Sequence, residues 1–167
     1  MKIKNHQIKF CPLCGSPIEK TLSPDHPTCP NDNFVWYQDP KVAAGTLVTK
    51  SEKLLLVKRK FPPHVNRWSY PSGFVDAGEK VEDAAKREVF EETNINVEID
   101  KLLGVYSSTN NDTIFIAYSG SAINENIVIG SESIDVSWFE INHLPSLAFV
   151  HDQKILQRWK DLYYKNS

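Results

Sequence analysis

Residues 73 to 95, GFVDAGEKVEDAAKREVFEETNI, carry seven acidic side chains, and three of them, Glu88, Glu91 and Glu92, fall within five positions. Residues 81 to 93 read as a helix, in which Ala85 and Val89 form an apolar i,i+4 flank and Phe90 points farther round. Lys80 falls at the N-cap site, and Glu82 and Asp83 in the first turn suit the positive end of the helix dipole. At about 100° per residue, Glu88, Glu91 and Glu92 share one face. Like charges at i,i+4 cost an isolated helix ~0.2–0.5 kcal/mol. A chain that keeps three of them either leaves them as a solvated acidic face or uses them to hold a cation. A hard divalent ion such as Mg²⁺ prefers just such an all-oxygen environment. Arg87 stands beside this face and can hold a carboxylate, such as that of Glu91, through a two-pronged hydrogen bond.

Around this helix the chain reads as a mixed α/β domain. VAAGTLV and LLLVKR, separated by a turn at Ser51 to Lys53, are aliphatic runs of buried-strand type. RWSYPSGF reads as a broken strand or loop. NVEIDKLLGVYSS, TIFIAYSGSA and VSWFEI supply further strands. A closing helix from about Ala148 carries Ile155, Leu156, Trp159 and Leu162 at helical spacing. Strands interleaved with two separated helices imply helices packed on a sheet. Residues 1–38 differ in character: all three Cys lie there, and six of the ten Pro lie there or just beyond, counting through Pro40. This segment reads as a small appended module, with 39–167 as the main domain.

The spacing Gly73, five residues, Glu79, seven residues, Arg87-Glu88-Val89-Phe90-Glu91-Glu92-Thr93-Asn94-Ile95 resembles the signature box of the Nudix hydrolases, G-x5-E-x7-R-E-U-x-E-E-x-G-U with U aliphatic. Eight of the nine specified positions match; Asn94 stands where the box has Gly. That position ends the helix, and Asn is the next best residue for a left-handed conformation, so the departure implies a small stability cost and no lost chemistry. The resemblance implies a Nudix α/β/α sandwich with a mixed sheet. It implies Mg²⁺- or Mn²⁺-dependent cleavage of the diphosphate in a nucleoside diphosphate joined to another group, with release of a nucleoside monophosphate. By position, Glu88 and Glu92 match the principal metal-ligand glutamates, Glu91 a further ligand or water-orienting acid, and Glu79 a supporting acid. A backbone carbonyl near the first Gly of the box, here Ser72 or Gly73, is a further implied ligand.

Many members take a base or extra ligand from a loop well after the box. Glu132, in GSES before VSWF, sits where it is expected, with Glu125 and a plain solvated loop glutamate as the alternatives. Arg59 alternates with aliphatic residues and points either to the diphosphate or to solvent. Trp68 is assigned to the core and Tyr70 to stacking on a base.

CPLCG at 11–15 and CPNDN at 29–33 read as two copies of one knuckle, with Asp32 where a fourth Cys would complete the set. Cys11, Cys14 and Cys29 with either Asp32 or His26 make a four-coordinate Zn²⁺ site able to fold a module too small to hold itself together; a degenerate, metal-free ribbon is the alternative. A ribbon ahead of a Nudix domain is similar to the layout of NADH, FAD and ADP-ribose pyrophosphatases. The SQPWPFPxS element of the NADH type is not visible, and ESIDVSWF and LAFVHDQKIL are closer to the FAD or ADP-ribose type. An ADP-ribose-type sensor or regulator with a Nudix-like domain is the competing reading. A net charge of −2, and four Lys with no Arg against three acids in residues 1–38, argue against a nucleic-acid surface. No apolar run is long enough to span a membrane, and MKIKNHQIKF lacks the apolar segment of an export signal, so a cytoplasmic location is expected. A homodimer is compatible with this layout.

Overall fold

The structure, a computed structural model, describes residues 8–18, 26–109 and 111–164. It divides into two compact units, Met1–Pro40 with Ser108–Asp112, and Lys41–Ser107 with Thr113–Ser167.

The larger unit runs β1 (Lys41–Lys50), β2 (Lys53–Arg59), β3 (Trp68–Ser69), β4 (Ser72–Phe74), α1 (Val81–Thr93), β5 (Val97–Tyr106), β6 (Thr113–Ala122), β7 (Ser133–Glu140) and α2 (Val150–Tyr163). Ser51 and Glu52 both take positive φ (48° and 61°), the mirror-image turn that suits the twist of a two-residue hairpin. The hairpin strands pair only beside the turn, at Thr49–Leu54 and Lys50–Lys53. Beyond it they part: β1 runs parallel to β6 along its length and takes β4 antiparallel on its other side, while β2 pairs antiparallel with β7. The sheet is therefore mixed.

The aliphatic run Leu54-Leu55-Leu56-Val57 is buried throughout because both faces of the sheet are covered. Leu54 and Leu56 face the side closed by Ile155, Leu156 and Trp159 of α2. Leu55 and Val57, one residue out of phase, face the side closed by Val89 of α1 together with Ile95 and Val136. This is the α/β/α sandwich that the resemblance implies, with helices packed on the sheet as the strand and helix pattern indicates. Trp68 packs partly buried at the edge of the α2-side core, edge-on to Phe139 at 4.8 Å.

Helix α1 packs through Ala84, Ala85 and Val89 and presents its acidic edge to a cleft. Its C-cap, Asn94, is left-handed (φ 61°), as the departure from Gly requires. Among the described residues no helix is long and apolar enough to cross a membrane.

In the smaller unit two turns repeat the same pattern. Cys11 N–H donates to Ser16 C=O (2.8 Å) and Gly15 N–H to Cys11 C=O; Cys29 N–H donates to Phe34 C=O (2.7 Å) and Asn33 N–H to Cys29 C=O. Gly15 and Asn33 occupy the same left-handed place, φ 72° and 60°. Single bridges, Phe10–Pro17 and Thr28–Val35, stand in for strands among the described residues.

Candidate active site

The cleft beside α1 has a volume of about 680 Å³, within the size of small-molecule sites. Four glutamates line it: Glu88, Glu91 and Glu92 from α1, and Glu132 from the turn before β7. Arg59, at the end of β2, Lys60 and Arg87 supply the positive charge.

β4 explains why box and sheet belong together. Its Ser72 N–H donates to Glu92 Oε2 at 2.9 Å. Next to it, a Cβ on Gly73 would overlap the carboxyl group of Glu88, so only glycine lets this strand run against the acid. Burial, with Glu88 and Glu132 as like charges nearby, pushes the Glu92 carboxyl up to about 8 despite the Ser72 hydrogen bond. Burial also raises Glu88, partly countered by Arg87.

Arg87 is the hub of the acidic edge. Its two-pronged bond goes to Glu79, Nε to Oε1 at 2.8 Å and Nη2 to Oε2 at 2.9 Å. Its remaining donors reach Glu88 (2.7 Å), Glu91 (3.1 Å) and the carbonyl of Phe74 (3.0 Å). The guanidinium holds Glu79 down to about 2. Glu79 is thus committed to Arg87 and, through Oε2, to the N–H of Asp76, away from the cleft lining.

The two loop candidates separate. Glu132 lines the cleft, whereas Glu125 is paired with Lys50 at 2.8 Å. Arg59 donates Nε–H to the Pro63 carbonyl at 2.9 Å, and its guanidinium lies 5.0 Å from the centroid of Phe149. Tyr70 corrects the sequence reading: it is 2% exposed, its hydroxyl donates to the Asp152 carbonyl at 3.0 Å, and it belongs to the core beneath α2. A ring sealed in the core cannot stack on a base. The exposed aromatics at the cleft are instead Phe61 and Phe74, each 52% exposed, which no periodicity marks.

Residues 39–159 match the NUDIX domain family. The chain is a Nudix hydrolase. It is 38% identical over 131 residues, 75% of this chain and 78% of the relative, to the ADP-ribose pyrophosphatase of Methanocaldococcus jannaschii. It is 29% identical over 143 residues, 84% of this chain, to the NAD-capped RNA hydrolase NudC of Stutzerimonas stutzeri, of whose length it spans 51%. Among solved structures, a NUDIX hydrolase from Nitrosomonas europaea superposes with a TM-score of 0.88 at 28% identity, covering 96% of this chain and 94% of that one.

In the smaller unit of this Nudix hydrolase, Cys11, Cys14, Cys29 and Asp32 bring their ligand atoms within 4.8 Å of one another, and among the described residues no other such group is gathered this tightly. Cys11 Sγ lies 3.3 Å from Asp32 Oδ2, and Cys14 Sγ 3.6 Å from Cys29 Sγ. The N–H of Phe34 donates to Asp32 Oδ1 at 2.9 Å and holds that carboxyl down to about 2. Of the two alternatives for the fourth position, Asp32 is the one in the cluster. His26 lies against Tyr37 instead, with ring centroids 4.8 Å apart and the planes tilted by 51°.

Proposed function

We propose that this Nudix hydrolase cleaves the diphosphate of a nucleoside diphosphate joined to a second group, of ADP-ribose or FAD type, and releases a nucleoside monophosphate. The observation that carries the reading is the single cleft that Glu88, Glu91, Glu92 and Glu132 share with Arg59. The likeness to an ADP-ribose pyrophosphatase over three-quarters of the chain supports that substrate type.

The cleft sets five carboxylates, Asp76 included, against three cationic side chains. This hard-oxygen excess, with Glu92 pushed up to about 8 by burial among like charges, fits a divalent cation. Glu88, Glu91 and Glu92, with a backbone oxygen at Ser72 or Gly73, would hold Mg²⁺ or Mn²⁺. Bound there, the ion would neutralise phosphoryl oxygens and acidify the attacking water. The protein's own groups do the rest. Arg87 fixes Glu88 and Glu91 and is itself fixed by Glu79. Arg59 offers its guanidinium to the diphosphate. Glu132, with no part in the Arg87 network, orients the water or accepts its proton. In the smaller unit, three thiolates and Asp32 fit a structural Zn²⁺.

A substrate panel tests the reading. ADP-ribose, FAD, NADH and diadenosine polyphosphates are incubated with Mg²⁺ and Mn²⁺, and the products are separated by chromatography. AMP from ADP-ribose or FAD is the expected result. Tight binding of ADP-ribose without turnover would favour the sensor instead.

A further inference from the structure

Asn94 is the one position where the box departs from its pattern, and its side chain has a job that glycine would leave undone. Nδ2 donates to the carbonyl of Asn126 at 3.0 Å. The link is reciprocal: Asn124 Nδ2 donates to the Asn94 carbonyl at 3.2 Å, and Asn124 Oδ1 accepts from the N–H of Asn96 at 2.7 Å. Past this clamp, Ile127 packs against the core on the α1 side. The next residues then satisfy the open carbonyls at the end of α1, Val128 N–H donating to Thr93 and Gly130 N–H to Glu92, each at 3.0 Å. A Cβ at Gly130 would overlap the backbone carbonyl of Glu91, so the segment lies directly on the helix. Two residues later the chain reaches Glu132, whose neighbour Ser133 pairs with Arg59 of β2. Helix end, loop and strand start therefore form one laced unit, with a catalytic carboxylate at its tip.

We infer that Asn94 is a positioning residue for Glu132: by clamping Asn126 to the C-terminus of α1 through its side-chain amide, beside the Asn124 bond to its main-chain carbonyl, it fixes the loop that carries Glu132 into the same cleft as the helix glutamates. The inference rests on Glu132 being the loop carboxylate of the reaction, as proposed above. The clamp explains why a chain whose box matches at every other specified position holds Asn here, since Asn accepts the left-handed backbone and also supplies a donor.

The test is a double-mutant cycle on AMP release from ADP-ribose. Asn94→Gly keeps the left-handed cap at no steric cost and deletes only the donor; Asn94→Asp deletes it while keeping a side chain. Each is expected to lower kcat about tenfold, the scale of coupling between groups in one hydrogen-bond network. KM and the Mg²⁺ concentration for half-maximal rate should not move, because the helix glutamates stay where they are. Combined with Glu132→Gln, Asn94→Gly is expected to cost nothing further. If the two losses multiply instead, Asn94 acts on the fold generally and the positioning role is overturned. If Glu132→Gln alone is as fast as wild type, the assignment of Glu132 is what fails, and the positioning role falls with it.

Discussion

Replacing Gly73 with Ala separates what the box does for chemistry from what it does for folding. The backbone at Gly73 has no positive φ and pairs in register with Ala44 of β1, so an alanine is tolerated by the chain itself. The added methyl nevertheless lands on the carboxyl group of Glu88. Either β4 shifts, at an overpacking cost of about 1–3 kcal/mol, or Glu88 swings away and gives up its 2.7 Å bond to Arg87. For a chain of this length that cost corresponds to a fall in Tm of roughly 2–12 °C. The chemical cost is larger, because displacing a group at the reacting centre by about 1 Å costs on the order of 10²-fold in rate. The expected variant is folded, with a modestly lower Tm by calorimetry and kcat/KM for ADP-ribose down about 100-fold. A variant within a factor of two of wild-type activity would refute the claim that β4 and Glu88 must touch for the site to work.

With Glu92 near 8, about nine-tenths of it is protonated at pH 7, so Mg²⁺ binding should expel about 0.9 proton there and about 0.1 at pH 9. Calorimetric titrations in buffers of different ionisation enthalpy count these protons, and a buffer-independent heat at pH 7 would contradict the assignment. The same raised carboxyl gives the metal-free protein stability that is whole below the unfolded value near 4.5 and is lost as pH rises through about 8, a slope that urea melts resolve and that Glu92→Gln should flatten. Purified protein is expected to carry one Zn²⁺ per chain, lost in Cys29→Ser and held more tightly against chelators in Asp32→Cys; metal content untouched by Cys29→Ser would dismiss the zinc site. Tyr70→Phe should cost about 1 kcal/mol of stability, the worth of the bond to the Asp152 carbonyl, and leave KM unchanged; a raised KM would return Tyr70 to the substrate.

The parts of the molecule visible in its sequence are those governed by local periodicity. Helix α1 follows from the Ala85/Val89 flank and the first-turn acids, and its observed span, Val81–Thr93, is the one that pattern marks. The doubly buried β2 follows from an unbroken aliphatic run. What escaped is set by contacts between distant segments. β3 and β4, of two and three residues, are too short for any period to register, yet β4 carries the Ser72 and Gly73 contacts to the acids. Helical spacing pairs Arg87 with Glu91, but the bidentate partner is Glu79, brought round by the loop before the helix. Tyr70 stands in a stretch of mixed polarity, and only the packing of α2 over it shows that it is buried. Asn94 registers in the sequence as a backbone substitute for Gly; its reach to Asn126, 32 residues on, exists only once the loop folds back.

The most direct test of the whole account is the rate of Mg²⁺-dependent AMP release from ADP-ribose by Glu92→Gln beside wild type. The substitution keeps the shape of the side chain and an acceptor for the Ser72 N–H but removes the charge that the carboxylate would present to a bound cation. A loss of about 10³-fold or more in a variant that melts no lower than wild type is the predicted result, as expected when a charge that organises the transition state is deleted. Undiminished turnover would mean that the carboxylates along α1 are not where the diphosphate is cut.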